Sequence, residues 1–309
     1  FWRHCGLEVI VSGPTNRATA AAGTAHAVAE PCFPVIVAHG HLAELIERNV
    51  DYLFVPNTVS AQTRWLDTES HVCPWGQTLP FVLRRVPAFE KHIDRFLAPM
   101  VRFRDGPKAV GKVLRALGKG LGIRRSVVDS ALAEAYAAQD RFTQRLLAVG
   151  REALAVLAET GSPGIVITGR PYNIHDDGVN LSVARKLRDY YGVNCLPIDC
   201  LDTESVDIRD INDGMYWLYG RNILAAARIV SRHDNLHIVH ITNFKCGPDS
   251  YIKHFIRAAS GKPFLTLQFD GHSNDAGMMT RCEAYLDSKG ILRPWKRESS
   301  AEDAAVLSG

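Results

Sequence analysis

The sequence lacks the short motifs that usually mark a bound metal or nucleotide. The 309 residues contain no Cys-x-x-Cys pair, no G-x-G-x-x-G fingerprint and no phosphate-binding G-x-x-x-x-G-K-[ST] segment. No apolar run approaches the roughly 18 residues that a membrane span requires. We therefore expect no paired-cysteine zinc site, no ATP-binding phosphate loop and no membrane segment within this chain.

Composition and charge narrow the class of protein further. A chain of 309 residues, 46% of them hydrophobic, can bury a large core and suggests about two domains. A net charge of +3 is too small to indicate nucleic-acid binding. Seven widely spaced cysteines, an odd number, do not form a disulfide framework, so we expect a reducing, cytoplasmic setting. The chain begins at Phe1 rather than methionine, which suggests a fragment or a processed piece.

Strand-like and helical segments alternate along most of the chain, which predicts an α/β fold with mostly parallel sheets. We expect two Rossmann-like lobes, at residues 1–100 and 161–290, joined by a basic, helical linker at 101–160 and followed by a flexible tail at 291–309. Strands are predicted at 7–12, 52–55, 165–168, 193–198, 236–241 and 263–269. Helices are predicted at 34–49, 79–97, 126–159 with Ser126 as its cap, 181–191, 215–232, 251–259 and 276–288, and a polar loop at 57–72.

Three cysteines share one local pattern. Cys32, Cys73 and Cys246 each come one or two residues before a proline that can begin a helix. A cysteine at a helix N-terminus has its thiolate stabilised by the helix dipole and the free N–H groups. The pattern therefore predicts three thiolates at three helix starts, which suits metal binding or catalysis.

The three cysteines are compatible with several kinds of site. Three separated thiolates suit an iron–sulfur cluster with one iron open to another ligand, although four cysteines are commoner. A structural zinc site is weaker because zinc prefers four protein ligands, and ordinary buried cysteines are the plain alternative. Cys195 has a similar C-x-P pattern, but residues 198–205 after it are not helix-like, so we interpret it as a strand residue. Three others are interpreted as structural: Cys5, Cys200 and Cys282.

Other polar motifs come directly after predicted strands. Arg170 after the 165–168 strand could pair with a carboxylate or a phosphate, or could belong to a capped turn. Asp270 and His272 could act as an acid/base pair, but a polar loop that caps the next helix through Asp275 is favoured. His39 and His41 lie two residues apart and would not share a helix face.

The basic stretch 102–125 contains eight Lys and Arg residues and one acid, Asp105. It could bind phosphates of a nucleotide-like ligand or an acidic partner, but a solvated linker is favoured. Because Phe103 is the only aromatic residue interleaved in this stretch, we expect no nucleic-acid binding.

Six segments together resemble a known family. They are C-F-P-V-I-V-A-H-G-H, D-Y-L-F-V-P, C-P-W-G-Q, G-R-P-Y-N, N-F-K-C-G-P-D-S and D-G-H-S-N-D-A-G-M-M-T-R. These segments are similar to the domain associated with CoA-substrate-specific enzyme activases, which is related to the 2-hydroxyacyl-CoA dehydratase and benzoyl-CoA reductase superfamily. The resemblance extends over residues 6–288 and implies two α/β lobes around an iron–sulfur cluster, of the 4Fe-4S type or larger, bound by Cys32, Cys73 and Cys246.

The resemblance implies a function in anaerobic metabolism. The chain would accept low-potential electrons from an ATP-dependent activator, either a separate protein or a missing part of this chain, for reductive chemistry on an acyl-CoA or a small substrate. A homo- or heterodimer is expected, and no catalytic residue is assigned. The alternative is a non-catalytic iron–sulfur electron-transfer or scaffold module. One departure from the family pattern is Gly271, where an acid is expected.

Overall fold

The computed structural model describes residues 1–292 as an α/β protein with mostly parallel sheets, which confirms the predicted fold class. The helices are α1 (Arg17–His26), α2 (Phe33–Glu47), α3 (Pro74–Leu83), α4 (Gly106–Gly120), α5 (Arg125–Thr160), α6 (Pro171–Ile174), α7 (Asp177–Asn180), α8 (Val183–Tyr191), α9 (Arg209–Asn212), α10 (Leu218–Ser231), α11 (Gly247–Ser260) and α12 (Asp275–Ser288). The strands are β1 (Leu53–Phe54), β2 (Asn57–Ser60), β3 (Phe96–Leu97), β4 (Met100–Arg102), β5 (Gly164–Gly169), β6 (Asn194–Pro197), β7 (Leu236–Asn243) and β8 (Leu265–Phe269).

The larger sheet lies in the C-terminal half and contains four parallel strands in the order β6-β5-β7-β8. All six residues of β5 are buried, and so are seven of the eight in β7. Strands covered on both faces read as continuous apolar runs, which is why these two were recognisable in the sequence. Pro197 ends the edge strand β6.

The N-terminal half contains a short parallel ribbon. β1 pairs with β3 and β2 pairs with β4, and the N–H groups of Val55 and Asn57 continue the ladder between them. A separate apolar cluster covers this ribbon, built from Leu42, Ala43, Leu53, Leu83, Val86, Phe89 and Phe96. Part of the predicted 57–72 loop is therefore strand, because residues 57–60 find a partner in β4.

Main-chain hydrogen bonds join the two halves next to Cys73. The His71 N–H donates to the Tyr216 carbonyl, and the Leu218 N–H donates to the His71 carbonyl, both at 2.9 Å. This bridge places His71, two positions before Cys73, directly beside the start of α10.

The predicted 101–160 linker is helical along most of its length. α4 packs through Val110 and Leu114 against Val101 and Val128, while its lysines at 108, 112 and 119 are exposed. The 36-residue α5 ends at Gly161, whose backbone is left-handed with φ of 63°. Its N-terminal cap is residue 124 rather than the predicted Ser126.

Two further boundaries differ from the predictions. Residues 7–12 form no strand, because no neighbouring strand pairs with them. The next residue, Gly13, donates its N–H to the carboxylate of Glu44. Ile291 and Leu292 pack against the main core, so the predicted tail is ordered at its start. Its remainder, 293–309, lies outside the described residues.

Over residues 1–292, no helix combines the length and the hydrophobicity that crossing a membrane requires.

Candidate functional site

The three cysteines selected from the sequence each stand immediately before a helix. Cys32 precedes α2, Cys73 precedes α3 and Cys246 precedes α11, and proline occupies the first turn of all three helices. Proline fits there because the first turn does not use its N–H in the helix. The predicted placement of three thiols at three helix starts is confirmed.

The loops that carry Arg170 and Cys246 begin at the same edge of the large sheet. β5 ends at Gly169 and its neighbour β7 ends at Asn243. The chain continues from β5 to β6 on one side, whereas β7 lies on the other side, so the strand order reverses here. Open parallel sheets bind ligands at such a switch point, outside the carboxyl ends of the strands.

A buried ion pair occupies this edge. Arg170 is 3% exposed and Asp249 is fully buried. The Arg170 Nε and one terminal nitrogen each lie 3.0 Å from Asp249 Oδ1, and the Thr242 hydroxyl donates to Oδ2 at 2.6 Å. The other terminal nitrogen lies 3.3 Å from the Tyr172 hydroxyl, and the guanidinium lies over the Tyr219 ring. These contacts hold one positive charge in a fixed position.

The charge of Arg170 reaches the three thiols. Burial alone would lower the pKa of Arg170, but Asp249, Tyr172, Cys246 and Cys73 together outweigh burial and raise it. The pKa of Arg170 therefore lies above its usual range, and the guanidinium stays charged. Arg170 in turn acts to lower the pKa of Cys32.

Burial favours the protonated form of two of these thiols. Burial raises the pKa of Cys32, and the neighbouring Cys73 raises it further. The Val35 N–H and Arg170 lower this pKa but do not cancel the rise. Burial, helped by Asp249, raises the pKa of Cys246 to about 12. Without a bound cation, desolvation therefore favours the protonated form of Cys32 and Cys246. These thiols need a cationic partner to displace their protons.

Contacts across the site hold the Cys32 and Cys246 segments together. The Lys245 ammonium lies 2.7 Å from the Glu30 carboxylate, and the Lys245 backbone is left-handed with φ of 67°. A Cβ at Gly271 would lie 3.6 Å from the Phe33 ring. The position where the family resemblance suggests an acid therefore faces an aromatic ring in this chain.

A second set of contacts joins the start of the chain to α7. The Thr15 hydroxyl donates to Asp176 at 2.6 Å and lies 2.9 Å from His41 Nε2. Asp176 also caps α7 by accepting from the N–H groups of residues 178 and 179. A Cβ at Gly178 would lie 2.3 Å from the Thr15 carbonyl oxygen, so only glycine permits this approach.

The remaining polar candidates have structural partners. His39 is buried and its Nδ1 bonds to the Val35 carbonyl at 2.7 Å. Asp270 accepts from the backbone of His272 and the hydroxyl of Ser273 within its own loop, as favoured from the sequence. The cap of α12 is Asn274 rather than the predicted residue 275.

The other cysteines lie in structural elements. Cys195 is in β6, as predicted, Cys200 ends a single 3₁₀ turn, and Cys282 is buried in α12. Cys5 lies in the turns before α1.

Asp249 and Thr242 are site residues that the sequence does not reveal as partners of Arg170. The sequence places Asp249 only at the start of its helix, and its partner is 79 residues away along the chain. A possible signal is that Thr242, Cys246 and Asp249 all lie within eight residues around the end of β7.

A buried histidine lies on β7 beside this network. His240 is fully buried, its Nδ1 lies 3.1 Å from the Thr168 hydroxyl, and its Nε2 has no partner among the described residues. Burial lowers the pKa of His240 to about 4. The folded protein therefore holds this ring neutral where an unfolded chain, with a pKa of about 6.5, protonates it.

We expect His240 to make the fold less stable as pH falls from about 6.5 to 4, because only the unfolded state binds the proton in that window. His240→Asn, which keeps an amide near Thr168, should reduce the slope of unfolding free energy against pH by up to about 1.4 kcal/mol per pH unit. Urea unfolding of both proteins at several pH values measures this slope. An identical slope in the variant would contradict the prediction.

In residues 1–292, no group of three or more His, Cys, Asp or Glu side chains is arranged to hold a single metal ion.

The fold and the site define an α/β protein with cysteines at three helix starts around a topological switch point. Residues 1–201 match the family model of the CoA enzyme activase uncharacterised domain (DUF2229), and the chain belongs to that family. The matched region includes Cys32, Cys73 and Arg170, while Cys246 lies beyond it. No curated protein matches the sequence.

Proposed function

We propose that the chain is the iron–sulfur component of a 2-hydroxyacyl-CoA dehydratase-type or related reductase system. The observation that supports this most is the position of Cys32, Cys73 and Cys246 at three helix starts. The family assignment supports the connection with CoA-linked chemistry.

The donor set fits such a cluster. Thiolate sulfur is the usual protein ligand of iron–sulfur clusters, and three ligands leave one iron open. The N–H groups at helix starts and the buried positive charge of Arg170 both favour the negative charge that a thiolate-bound cluster carries. Because a cluster is several atoms wide, its ligands need not converge as closely as those of a single ion.

Each residue of the site has a proposed role in binding the cluster or in setting its surroundings. Cys32, Cys73 and Cys246 would bind the cluster, and Arg170, fixed by Asp249, would set its electrostatic surroundings. The cluster supplies one-electron chemistry when bound, and an ATP-dependent activator, as a separate protein or another part of a longer chain, would supply the electron. An acyl-CoA or related small molecule is the proposed substrate.

Anaerobic purification followed by iron and sulfide analysis and electron paramagnetic resonance tests this proposal. We expect several irons and sulfides per chain and a cluster spectrum after reduction with dithionite. Protein that is free of iron after anaerobic handling would contradict it. Stoichiometric zinc without iron would instead favour a structural zinc domain.

A second candidate function is electron transfer without a substrate of its own. Asp270 bonds within its own loop instead of with the imidazole of His272, which favours this alternative. Adding acyl-CoA esters to the reduced protein distinguishes the two functions. A change in the cluster spectrum supports substrate binding, and an unchanged spectrum with every ester supports the electron-transfer module.

A further inference from the structure

A buried arginine on α10 lacks a hydrogen-bond acceptor for its charge. Arg221 is 3% exposed, and its Nη2 is buried without a hydrogen-bond partner among residues 1–292. The guanidinium carbon lies 5.7 Å from the centre of the Trp65 ring. A ring face attracts a cation, but it does not replace an acceptor for the N–H groups. Because an unpaired buried charge is costly, this group indicates an acceptor that binds from outside the chain.

The carboxylates near Arg221 are occupied by other donors. Burial lowers the pKa of Arg221, and the charges of Glu204, Asp67 and Asp207 only partly offset this effect. Asp67 accepts from one terminal nitrogen of Arg209 at 3.0 Å, and Asp207 accepts from its Nε at 2.9 Å. Glu204 accepts two hydrogen bonds, both at 2.9 Å, from a loop of the N-terminal half. The described part of the chain therefore places negative charges near Arg221 but provides no acceptor for its Nη2.

Arg221 lines a pocket between the two halves of the chain. Trp65 and Thr68 reach this pocket from the N-terminal half. Its apolar wall belongs to the C-terminal half and consists of Val206, Ile208 and Met215. The enclosed space holds about one group of the size of a water molecule. The pocket therefore has room for the oxygen end of an anion, while the rest of the ligand remains outside it.

We propose that this pocket binds the carboxylate group of a small organic acid, with one oxygen accepting a hydrogen bond from Arg221. Hydrogen bonds between a guanidinium and a carboxylate are charge-assisted and stronger than those between neutral groups. The negative charges of Glu204, Asp67 and Asp207 disfavour a dianion, which selects a carboxylate over a phosphate. None of the three helix-start cysteines lines the pocket, so this binding function is independent of the one proposed for them.

The pocket lies beside the main-chain bridge at His71. Trp217 caps α10, pairs with His71, and accepts the N–H of Arg221 at 3.0 Å. Arg221 therefore lies one turn of α10 beyond the residue that joins the two halves. A carboxylate bound between Arg221 and Trp65 contacts both halves, so its binding should stabilise their contact.

Thermal unfolding of the 309-residue chain with and without sodium acetate tests the proposal. We expect about 100 mM acetate to raise the midpoint temperature of the unchanged protein by about 2 °C more than that of Arg221→Met, for a dissociation constant of about 20 mM. Arg232→Met, at an exposed position at the end of the same helix, is the matched control and should respond as the unchanged protein does. The general effect of the salt is common to all three proteins, so the difference between them reports binding.

Saturation-transfer NMR of the acetate methyl signal measures binding to the unchanged protein directly, whether or not Arg221→Met folds. Sodium phosphate at about pH 8, where it is mainly a dianion, should produce a smaller difference between the two proteins than acetate does. Circular dichroism establishes that each variant keeps its helical content. The absence of an acetate signal from the unchanged protein, an equal rise in Arg221→Met, or a larger difference with phosphate would overturn the proposal.

Discussion

Arg170→Met is expected to lower the free energy of unfolding by about 3–5 kcal/mol, because it leaves the carboxylate of Asp249 buried without its partner. Asp249 is fully buried and would retain only the hydroxyl of Thr242 among the side-chain donors of residues 1–292. Methionine keeps much of the side-chain length, so the change isolates the lost charge better than alanine would. Urea unfolding at neutral pH, followed by circular dichroism, measures the effect.

Two controls separate charge from packing in this experiment. The same substitution at Arg141, whose ion pair with Glu134 is exposed, should cost less than about 1 kcal/mol. The double variant Arg170→Met/Asp249→Leu should recover most of the loss, since neither charge remains buried. A loss below about 1 kcal/mol at Arg170, or no recovery in the double variant, would show that the ion pair does not stabilise the site.

Cys246→Ser is expected to remove most of the iron from anaerobically purified protein while the fold is kept. Serine is nearly isosteric and can cap α11, but its hydroxyl is a hard, mostly protonated group that does not replace a thiolate. Even the loss of a hydrogen-bond partner of a ligand weakens metal affinity about 10–100-fold, so the loss of a ligand should have at least this effect. Iron content and far-ultraviolet circular dichroism are the two measurements.

Cys195→Ser is the matched control for Cys246→Ser. Cys195 is partly buried in the edge strand β6 and lies outside the switch point, so iron content should not change. Full iron in the Cys246 variant, or loss of iron in the Cys195 variant, would show that other cysteines bind the cluster.

Local patterns explain which elements could be predicted from the sequence. The run from 165 to 168 predicts a buried strand because every residue faces the core, and a cysteine followed by proline predicts a helix start from two residues alone. Residues 57–60 belong to a polar stretch of sequence and form β2 because β4 pairs with them. Residues 7–12 show the opposite case, since they have strand propensity but no partner.

The site was predictable only in part for the same reason. The three cysteines are each identified by neighbours one or two positions away, whereas Arg170 and Asp249 meet only after β5 and β7 have become adjacent. The effect of burial on the thiols of Cys32 and Cys246 also depends on the complete fold. Residue propensity and sequence spacing reveal neither which distant residues meet nor how deeply a side chain is buried.

The bridge at His71 has a consequence for how the sequence can vary. The atoms that join the two halves there belong to the main chain, and any residue type except proline can donate from positions 71 and 218. Relatives could therefore change the exposed side chain at 216 and still keep the main-chain bridge beside Cys73, whereas the side chain of Leu218 is buried. Substitutions accumulating at this boundary would leave the cysteine geometry unaltered, and proline is the residue that selection should remove from positions 71 and 218.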